Sequence, residues 1–568
     1  MFVKKTVRKR GDKSYTYLSL VESVRVDGKM THTTLLRLGE VGELRRSGQI
    51  DRIIAALRSH AEGSWVDGDE LCAAGAPGFG AMAAVHTYFD RLGLESFFAK
   101  LGAKRGAEHL ADVIYVMAAN RLLRPWSKRR TVLEWLHDVA LPGEVVAPSL
   151  DQCYRGLDAV ASAKEQLEPH LYGRLTDLTN LDLRLCCYDV TSTYFETEKA
   201  ATEKFPSRRF GYSRDKRGDR PQVVIGLLVT GDGIPIAHHV FSGNTSDVTT
   251  LPAVMADYQK RFGVGRIALV ADRGLISEDN VAQVAAAGFD HVLATRLHNS
   301  VDVQAALEAA RLPEARWVPV KDANSAACEV HVGGERYVVV ASLPRFVRDN
   351  LRREQLLSRV EDKLIALEER VRAGRLSDPA KIGAAADRIL RDSGVARCFT
   401  TTTREGSFSW DYDQEALHYE EDLLAGRYVI TTSLSLEQAS TENVVRYYRA
   451  LQRVERRFRV LKDFIGLRPV YHWTERRVRG HIALCVLAAT IEAVMGKDLA
   501  QAGVMDPDLE GQVLSARRAL AELNRIRRVE LAAGENRVSV VTRRNALQSQ
   551  ILAAFGVDTS DWDRAVIA

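Results

Sequence analysis

The chain has 568 residues, of which 46% are hydrophobic and 27% charged, and a net charge of +5. That balance excludes a disordered or wholly basic chain, and the length suits roughly three to five domains rather than one core. Seven cysteines at 72, 153, 186, 187, 328, 398 and 485 form no CxxC pair, which argues against a zinc ribbon or disulfide framework and fits a reducing, cytoplasmic setting. The start, MFVKKTVRKRGDK, is basic without an apolar segment, so no secretory signal is expected. The longest apolar run, 481–496, holds His481 and Glu492 and is shorter than a bilayer span, so it reads as a buried helix and no membrane is expected.

Residues 14–38 alternate polar and apolar around Asp27–Lys29, which predicts a β-hairpin within an N-terminal region, 1–72. The basic lead-in (Lys4, Lys5, Arg8, Lys9, Arg10) reads equally as a DNA contact or a solvated end. A short helix is expected over 47–60, and the Gly- and Ala-rich stretch 73–81 marks a linker. Residues 82–180 are helical in pattern and predict an all-α module for DNA contact or assembly. Arg121, Arg124, Lys128, Arg129 and Arg130 cluster there around Pro125–Trp126.

From 181 to 296 strands and helices alternate. LRLCCYDV (183–190), QVVIGLLVT (222–230), IPIAHHVF (234–241), IALVAD (267–272) and HVLAT (291–295) are apolar strands, with helices expected near 247–262 and 278–287. Three strands on short turns, followed by strand–helix–strand crossovers, predict a mixed α/β sheet. Asp189 and Asp272 end the first and fourth strands, where a carboxylate is poorly placed for packing and well placed for a site. His238 and His239 read as structural.

Residues 297–440 interrupt the alternation with strand-like pieces and a charged helical hairpin near 347–392, whose first arm spaces Leu357, Val360, Leu364, Leu367 and Val371 as a short heptad seam. This β-rich stretch is expected to leave and rejoin the core as a separate lobe. The core resumes over 441–500. Its first helix, 441–465, starts at Ser435 or Thr441. It sets Val444, Tyr447, Leu451, Val454, Phe458, Leu461 and Ile465 on one buried stripe, with Arg446, Arg449, Arg453, Arg456 and Arg457 opposite. From Arg446 to Arg479 there are eleven Lys or Arg against Glu455, Asp463 and Glu475, a cluster suited to phosphates. A buried helix over 479–496 follows. Residues 501–568 are read as a C-terminal region of helix, strand pair and helix.

Glu455 lies seven residues from both Tyr448 and Lys462, at the edge of the stripe. A half-buried carboxylate on a basic helix needs a cation, either a neighbouring Arg or a metal ion. Hard divalent cations take oxygen ligands, and two of them about 4 Å apart serve phosphoryl transfer. A bridging Asp with one further carboxylate per metal takes three side chains from three elements. Asp189, Asp272 and Glu455, on strand one, strand four and a later helix, have the order of a ribonuclease H-like nuclease core.

The chain resembles the DDE transposases of bacterial insertion sequences, in the IS-four superfamily and near its sixteen-thirty-four branch. The resemblance is carried by YDVTSTYFE (188–196), GYSRDKRGDRPQVVIGLL (211–228), GIPIAHHVFSGNTSD (233–247), VADRG (270–274) and VERRFRVLKDFIGLRPVYHWTERRVRGHIALCVLA (454–488). It implies a multidomain α+β protein whose ribonuclease H-like mixed α/β catalytic core is interrupted by the β-rich insertion. It implies that Asp189, Asp272 and Glu455 are catalytic and hold two Mg2+ ions, for which Mn2+ can substitute, with Asp189 bridging. The family's helix motif is matched by Tyr448, Glu455 and Lys462 but has Leu451 at its Arg position, where Gln452 or Arg453 can substitute. Candidate DNA contacts are Tyr448, Lys462, Arg459, Arg453, Arg214 and Asn244. Asn244 reads equally as a turn residue, and Trp473 as a base-stacking or a packing residue. Arg208, Arg209, Arg214, Lys216, Arg217 and Arg220, on the loop after the first strand, are expected to contact DNA beside Asp189. The activity implied is metal-dependent strand cleavage and strand transfer. The partners implied are double-stranded element ends with inverted repeats, target DNA and a second copy of the chain assembled on DNA. A domesticated nuclease and a non-catalytic DNA-binding protein are the alternatives.

Overall fold

A computed structural model describes the chain except residues 27–28, 59, 61–71, 180–184, 263–267, 272–280, 283–284, 287, 296–299, 322–323, 534–535, 564–565 and 568. It divides into two compact units: Met1–Gly75 with Val529–Val540 and Ala565–Ala568, and Ala76–Arg528 with Val541–Arg564.

The first unit is built on an antiparallel sheet ordered β1 (Phe2–Arg10), β2 (Lys13–Val26), β3 (Lys29–Glu40), followed by helices α1 (Val41–Arg46) and α2 (Gln49–Arg58). The expected hairpin is β2–β3, closed by Val26 opposite Lys29; its turn lies outside the described residues. The basic lead-in forms a third strand, exposed along its whole length. Gly11, at φ +61°, sits in the two-residue turn between Arg10 and Lys13, which pair. A second sheet joins β4 (Cys72–Gly75) to β16 (Arg528–Ala533), β17 (Asn536–Val541) and β18 (Val566–Ile567). The C-terminal strand pair therefore groups with the N-terminal residues and not with the helices on either side of it.

The second unit is organised on a nine-stranded sheet, ordered β10-β11-β12-β15-β9-β8-β5-β6-β7. β5 (Leu185–Tyr194), β6 (Gln222–Thr230) and β7 (Pro235–Ser242) form an antiparallel meander. Helix α8 (Thr250–Phe262) leads to β8 (Ala268–Ala271), which pairs parallel to β5, and β9 (Asp290–Ala294) pairs parallel to β8. Parallel central strands are covered on both faces, and their near-continuous apolar runs follow from that. The helix expected near 278–287 falls largely outside the described residues.

The insertion does not form a wholly separate lobe. Its strands β10 (Trp317–Val320), β11 (Ser325–Val332), β12 (Glu335–Ser342) and β15 (Arg427–Thr432) extend the sheet, with β15 antiparallel to β9. β12 is buried from Arg336 to Val340, so it needs cover on both faces and pairing on both edges. Arg336 donates to the Leu434 and Ala439 carbonyls at 2.7 and 2.9 Å and pairs with Glu329, which also accepts from Thr441 Oγ1 at 2.8 Å. These bonds fix the helix beginning at Thr441 against the insertion's strands. Helices α9 (Val301–Ala309), α10 (Leu343–Arg372), α11 (Pro379–Arg391) and α12 (Gln414–His418) complete the insertion. The arms of the hairpin, α10 and α11, share a small core with the strands β13 (Phe399–Arg404) and β14 (Ser407–Tyr412). There Val360, Leu364, Leu367 and Val371 pack with Ile382, Ala386, Phe399 and Phe408.

Helices α13 (Thr441–Arg449) and α14 (Leu451–Arg459) occupy the expected organising stretch, and α15 (Glu475–Gln501) is the core helix. α15 is long and apolar enough to cross a membrane, but 89% of its most apolar window is buried inside the protein. Its Gly480 meets α7 (Leu150–Thr179) so closely that an added Cβ would lie 2.1 Å from the Leu157 carbonyl oxygen. The remaining helices, α3 (Gly80–Arg91), α4 (Leu94–Arg105), α5 (Leu110–Leu123), α6 (Lys128–Leu133), α16 (Ala516–Leu523) and α17 (Ala546–Phe555), share one apolar core with α15 and the sheet. The all-α stretch is thus part of the main body and not an autonomous module. Arg121 and Lys128 of its basic cluster are buried, which removes them from any DNA-facing surface.

Candidate active site and nucleic-acid grooves

The organising helix is broken. α13 ends at Arg449, Ala450 forms a turn, α14 follows, and Val460–Phe464 winds as a π-helix. Ser440, not Ser435 or Thr441, caps its start by accepting from the Asn443 amide at 3.3 Å. The apolar stripe is otherwise as the spacing predicts. Val444, Leu451, Val454, Phe458, Leu461 and Ile465 are buried, while Tyr447 is half-buried. Arg446, Arg453 and Arg456 are exposed. Arg457 turns inward to pair with Glu492.

α14 packs on β5 and so carries Glu455 to the strand that bears Asp189. Glu455 is exposed, where the stripe's edge predicted half-burial. Among the described residues it has neither a hydrogen bond nor an ion pair, so the salt bridge weighed for it is not formed there. Asp189 is half-buried, and its Oδ1 accepts from the Val190 amide at 2.7 Å. In the parallel register Tyr188 lies beside Ala271. The residues that follow this pair in sequence are Asp189 and Asp272, and Asp272 lies outside the described residues. Among the described residues no three His, Cys, Asp or Glu side chains are grouped to hold a metal. The donors that are described fit a hard cation in kind: both are carboxylates, and that of Glu455 has no partner among the described residues.

Glu455 borders a cavity of about 440 Å³ between α13–α14 and the insertion, lined also by Tyr448, Arg449, Gln452, Tyr428, Arg345 and Arg348. The Tyr428 and Tyr448 rings are 5.5 Å apart, and the Arg345 guanidinium lies 5.2 Å from the Tyr428 ring. Leu451, at the family's Arg position, is buried. Gln452 borders the same cavity, whereas Arg453 lies 3.7 Å from Asp232 and lines a second one. That second cavity, about 690 Å³, is lined by Lys321, Arg446, Arg449, Arg453 and Arg456 against Glu442. Two basic hollows therefore flank the segment that carries Glu455.

The remaining candidates are distributed differently. Arg459 is exposed, with no ion pair among the described residues. Lys462 is engaged: its Nζ donates to Asp215 Oδ1 at 2.8 Å, and Arg468 pairs with the same oxygen. Burial pushes the Lys462 ammonium down from its ordinary pKa, and Asp215 opposes that. Arg214 pairs with Asp247, and its amide donates to Ser192 Oγ at 3.2 Å, three residues beyond Asp189 on β5. Asn244 is an exposed turn residue accepting from Ser242 Oγ at 2.7 Å. Trp473 is 68% exposed and does not pack in the core.

The loop arginines expected to contact DNA are mostly occupied by the protein. Arg208 is buried and donates to the Ala200 carbonyl at 3.1 Å. Arg217 pairs with Asp219, and Arg220 with Glu198. Asp215 was not singled out from the sequence because six cations surround it within 208–220. Its signal was being one of only two acids in that run.

A family model described as the transposase DDE domain matches residues 181–491, more than half of the chain. A second, the N-terminal domain of IS1634 family transposases, matches residues 3–69. No curated protein matches the chain. Among solved structures the chain is similar to a piggyBac transposase in a synaptic complex with hairpin DNA, solved by cryo-EM. The identity is 10% and the TM-score 0.35, over 73% of this chain and 70% of that one. A DDE domain implies a DNA-cleaving enzyme of the polynucleotidyl-transferase type, and such domains generally use divalent metal ions. The chain belongs to the DDE transposases of IS1634-like insertion sequences.

Proposed function

We propose that the chain mobilises its own insertion sequence by cutting DNA at the element's ends and joining them to a target, with Asp189, Asp272 and Glu455 as the catalytic carboxylates. The observation that carries this reading is the packing of α14 on β5. It puts Glu455, which has no partner among the described residues, on a helix against the strand that bears Asp189, whose parallel neighbour is followed in sequence by Asp272. The strand order β7-β6-β5-β8-β9, with the first three antiparallel and the last two parallel to β5, supports a ribonuclease H-like core. Asp189 would bridge two Mg2+ or Mn2+ ions, while Asp272 and Glu455 would each hold one. Bound there, such ions activate the attacking oxygen and stabilise the leaving one.

Water attacks phosphorus at the element's end, the bond to the 3′ oxygen breaks, and that oxygen leaves as a hydroxyl. The freed hydroxyl then attacks phosphorus in a target strand, giving up its proton as one ester forms and another breaks. Arg449, Arg345 and Arg348 line the cavity where backbone phosphates would lie, and Tyr448 would position them. Arg453 and Arg459 would hold flanking phosphates, and Lys462, Arg214 and Asn244 would position the strand beyond Asp189. Assembly on paired ends calls for a second copy of the chain.

Glu455→Gln tests this reading. The neutral amide is a poor ligand for a hard cation, so Mg2+-dependent nicking of end DNA is expected to fall by at least about a hundredfold, the upper cost of disturbing even a residue behind a metal ligand. End binding at fixed salt is expected to persist or tighten, because phosphate affinity comes from the surrounding Arg and Lys. Unchanged nicking by a folded Glu455→Gln protein would sink the assignment.

A further inference from the structure

We propose that one face of the N-terminal sheet binds double-stranded DNA in the major groove and gives the chain its grip on the element's ends. This rests on the transposase reading above. The face follows from register. Cross-strand partners share a face and successive residues alternate. Arg10 lies opposite Lys13, Arg8 opposite Tyr15, Thr6 opposite Tyr17, and Lys4 opposite Ser19, which in turn lies opposite Arg37 on β3. The Arg8 guanidinium lies 5.9 Å from the Tyr17 ring, a diagonal neighbour, which independently puts both side chains on one side.

That row is therefore cations interleaved with hydroxyls. Lys4, Arg8, Arg10, Lys13 and Arg37 are exposed, and among the described residues none of them makes an ion pair. The one carboxylate at its margin, Glu40, faces Tyr17 but accepts from the Glu43 amide to cap α1, at 2.8 Å. The opposite row of β1 and β2 is more apolar: Val3, Val7, Leu18 and Leu20 stand among Lys5, Lys9, Ser14 and Thr16, whereas the cationic row turns apolar only at its far end, at Phe2 and the buried Val21. A row of cations with no ion pair among the described residues is complementary to phosphates, and hydroxyls and arginines also reach base edges. Size agrees as well. The paired strands β1 and β2, spaced about 4.8 Å, form a two-stranded ribbon of the kind that a major groove about 12 Å wide admits.

Alternation along β1 supplies its own control, because two variants remove equal charge from opposite faces. The full chain would be titrated without divalent metal against a duplex copied from the DNA bordering the reading frame, over a range of salt. Lys4→Ala/Arg8→Ala is expected to weaken duplex binding at least about tenfold and to flatten the salt dependence by about two contacts. Lys5→Ala/Lys9→Ala should leave both nearly unchanged. Equal weakening by the two pairs would mean diffuse charge and not a face, and would overturn the proposal. So would equal loss of single-strand binding, or a change in oligomeric state without DNA, which would mark the face as a contact between copies. Normal binding by Lys4→Ala/Arg8→Ala, with cleavage still abolished by Glu455→Gln, would overturn this proposal and leave the proposed function standing.

Discussion

Glu455 and Glu168 are both carboxylates among cations, yet the fold treats them in opposite ways. Glu168, on α7, is buried and saturated. It accepts from the His238 amide at 3.0 Å and from Lys164 at 3.1 Å, lies 2.8 Å from His238 Nδ1, and pairs with Arg261. Burial alone would raise its pKa, but the His238 hydrogen bond, with Lys164 and Arg261, holds it well below the usual carboxylate range. Glu455 stands exposed beside exposed arginines, with no partner among the described residues. The contrast teaches that a basic neighbourhood does not decide the role of an acid. What decides it is whether the protein itself uses the acid's lone pairs.

The sharpest way to break the contrast is to make the same substitution at both positions and read stability. Glu168→Gln leaves Arg261 buried with less to neutralise it, and a loss of about 3–5 kcal/mol is expected in chemical unfolding. Glu455→Gln should move stability by less than about 0.5 kcal/mol, as an exposed change without partners does. Comparable losses would mean that Glu455 is a structural ion-pair partner after all.

Acid should loosen the interior. Burial, reinforced by Lys128, pushes His472 down to about 4, and burial with Lys164 does the same to His239. Both histidines are neutral in the fold, while the unfolded chain takes up their protons near the ordinary value of about 6.5. Stability is therefore full above that value and falls as pH drops from about 6.5 to about 4, by at most about 3 kcal/mol per histidine. Glu168, with its lowered pKa, adds a further loss below the ordinary carboxylate range. Melting temperature followed over that window should fall less steeply in His472→Gln. An unchanged slope would show that His472 is not held neutral.

The smallest effect belongs to the exposed cations. Arg459→Ala should weaken duplex binding evenly across sequences and reduce the salt slope by about one, with no change in melting temperature. A sequence-dependent loss would show instead that Arg459 reads bases.

Continuous apolar runs made the strands around Asp189 legible, and periodicity did the same for the stripe of α13–α14, because burial of one helix face writes itself into every third or fourth residue. Two things were not legible. The pairing of β15 with β9 depends on which free edge the returning chain meets, and no local pattern encodes that. Burial of Arg208, Arg121 and Lys128 depends on carbonyls and rings distant in sequence, so basic loops looked more available to DNA than they are. The partnering of Lys462 with Asp215 was hidden for the same reason. Glu455 carried the opposite error: its helical position suggested half-burial, whereas the break at Ala450 and the cavity beyond leave it open.

The continuous sheet also sets what an engineer could remove. Arg345 and Arg348, across the cavity from Glu455, sit at the start of α10, which follows β12; β12 pairs with β15, and β15 with β9, which ends beside Thr295. Excising residues 297–440 would not yield a trimmed enzyme. It would bare the edge of β9, a ready template for sticking to other chains. The helical hairpin with β13 and β14, which carries its own small core, is the portion that could be exchanged like a cartridge while the sheet stays whole.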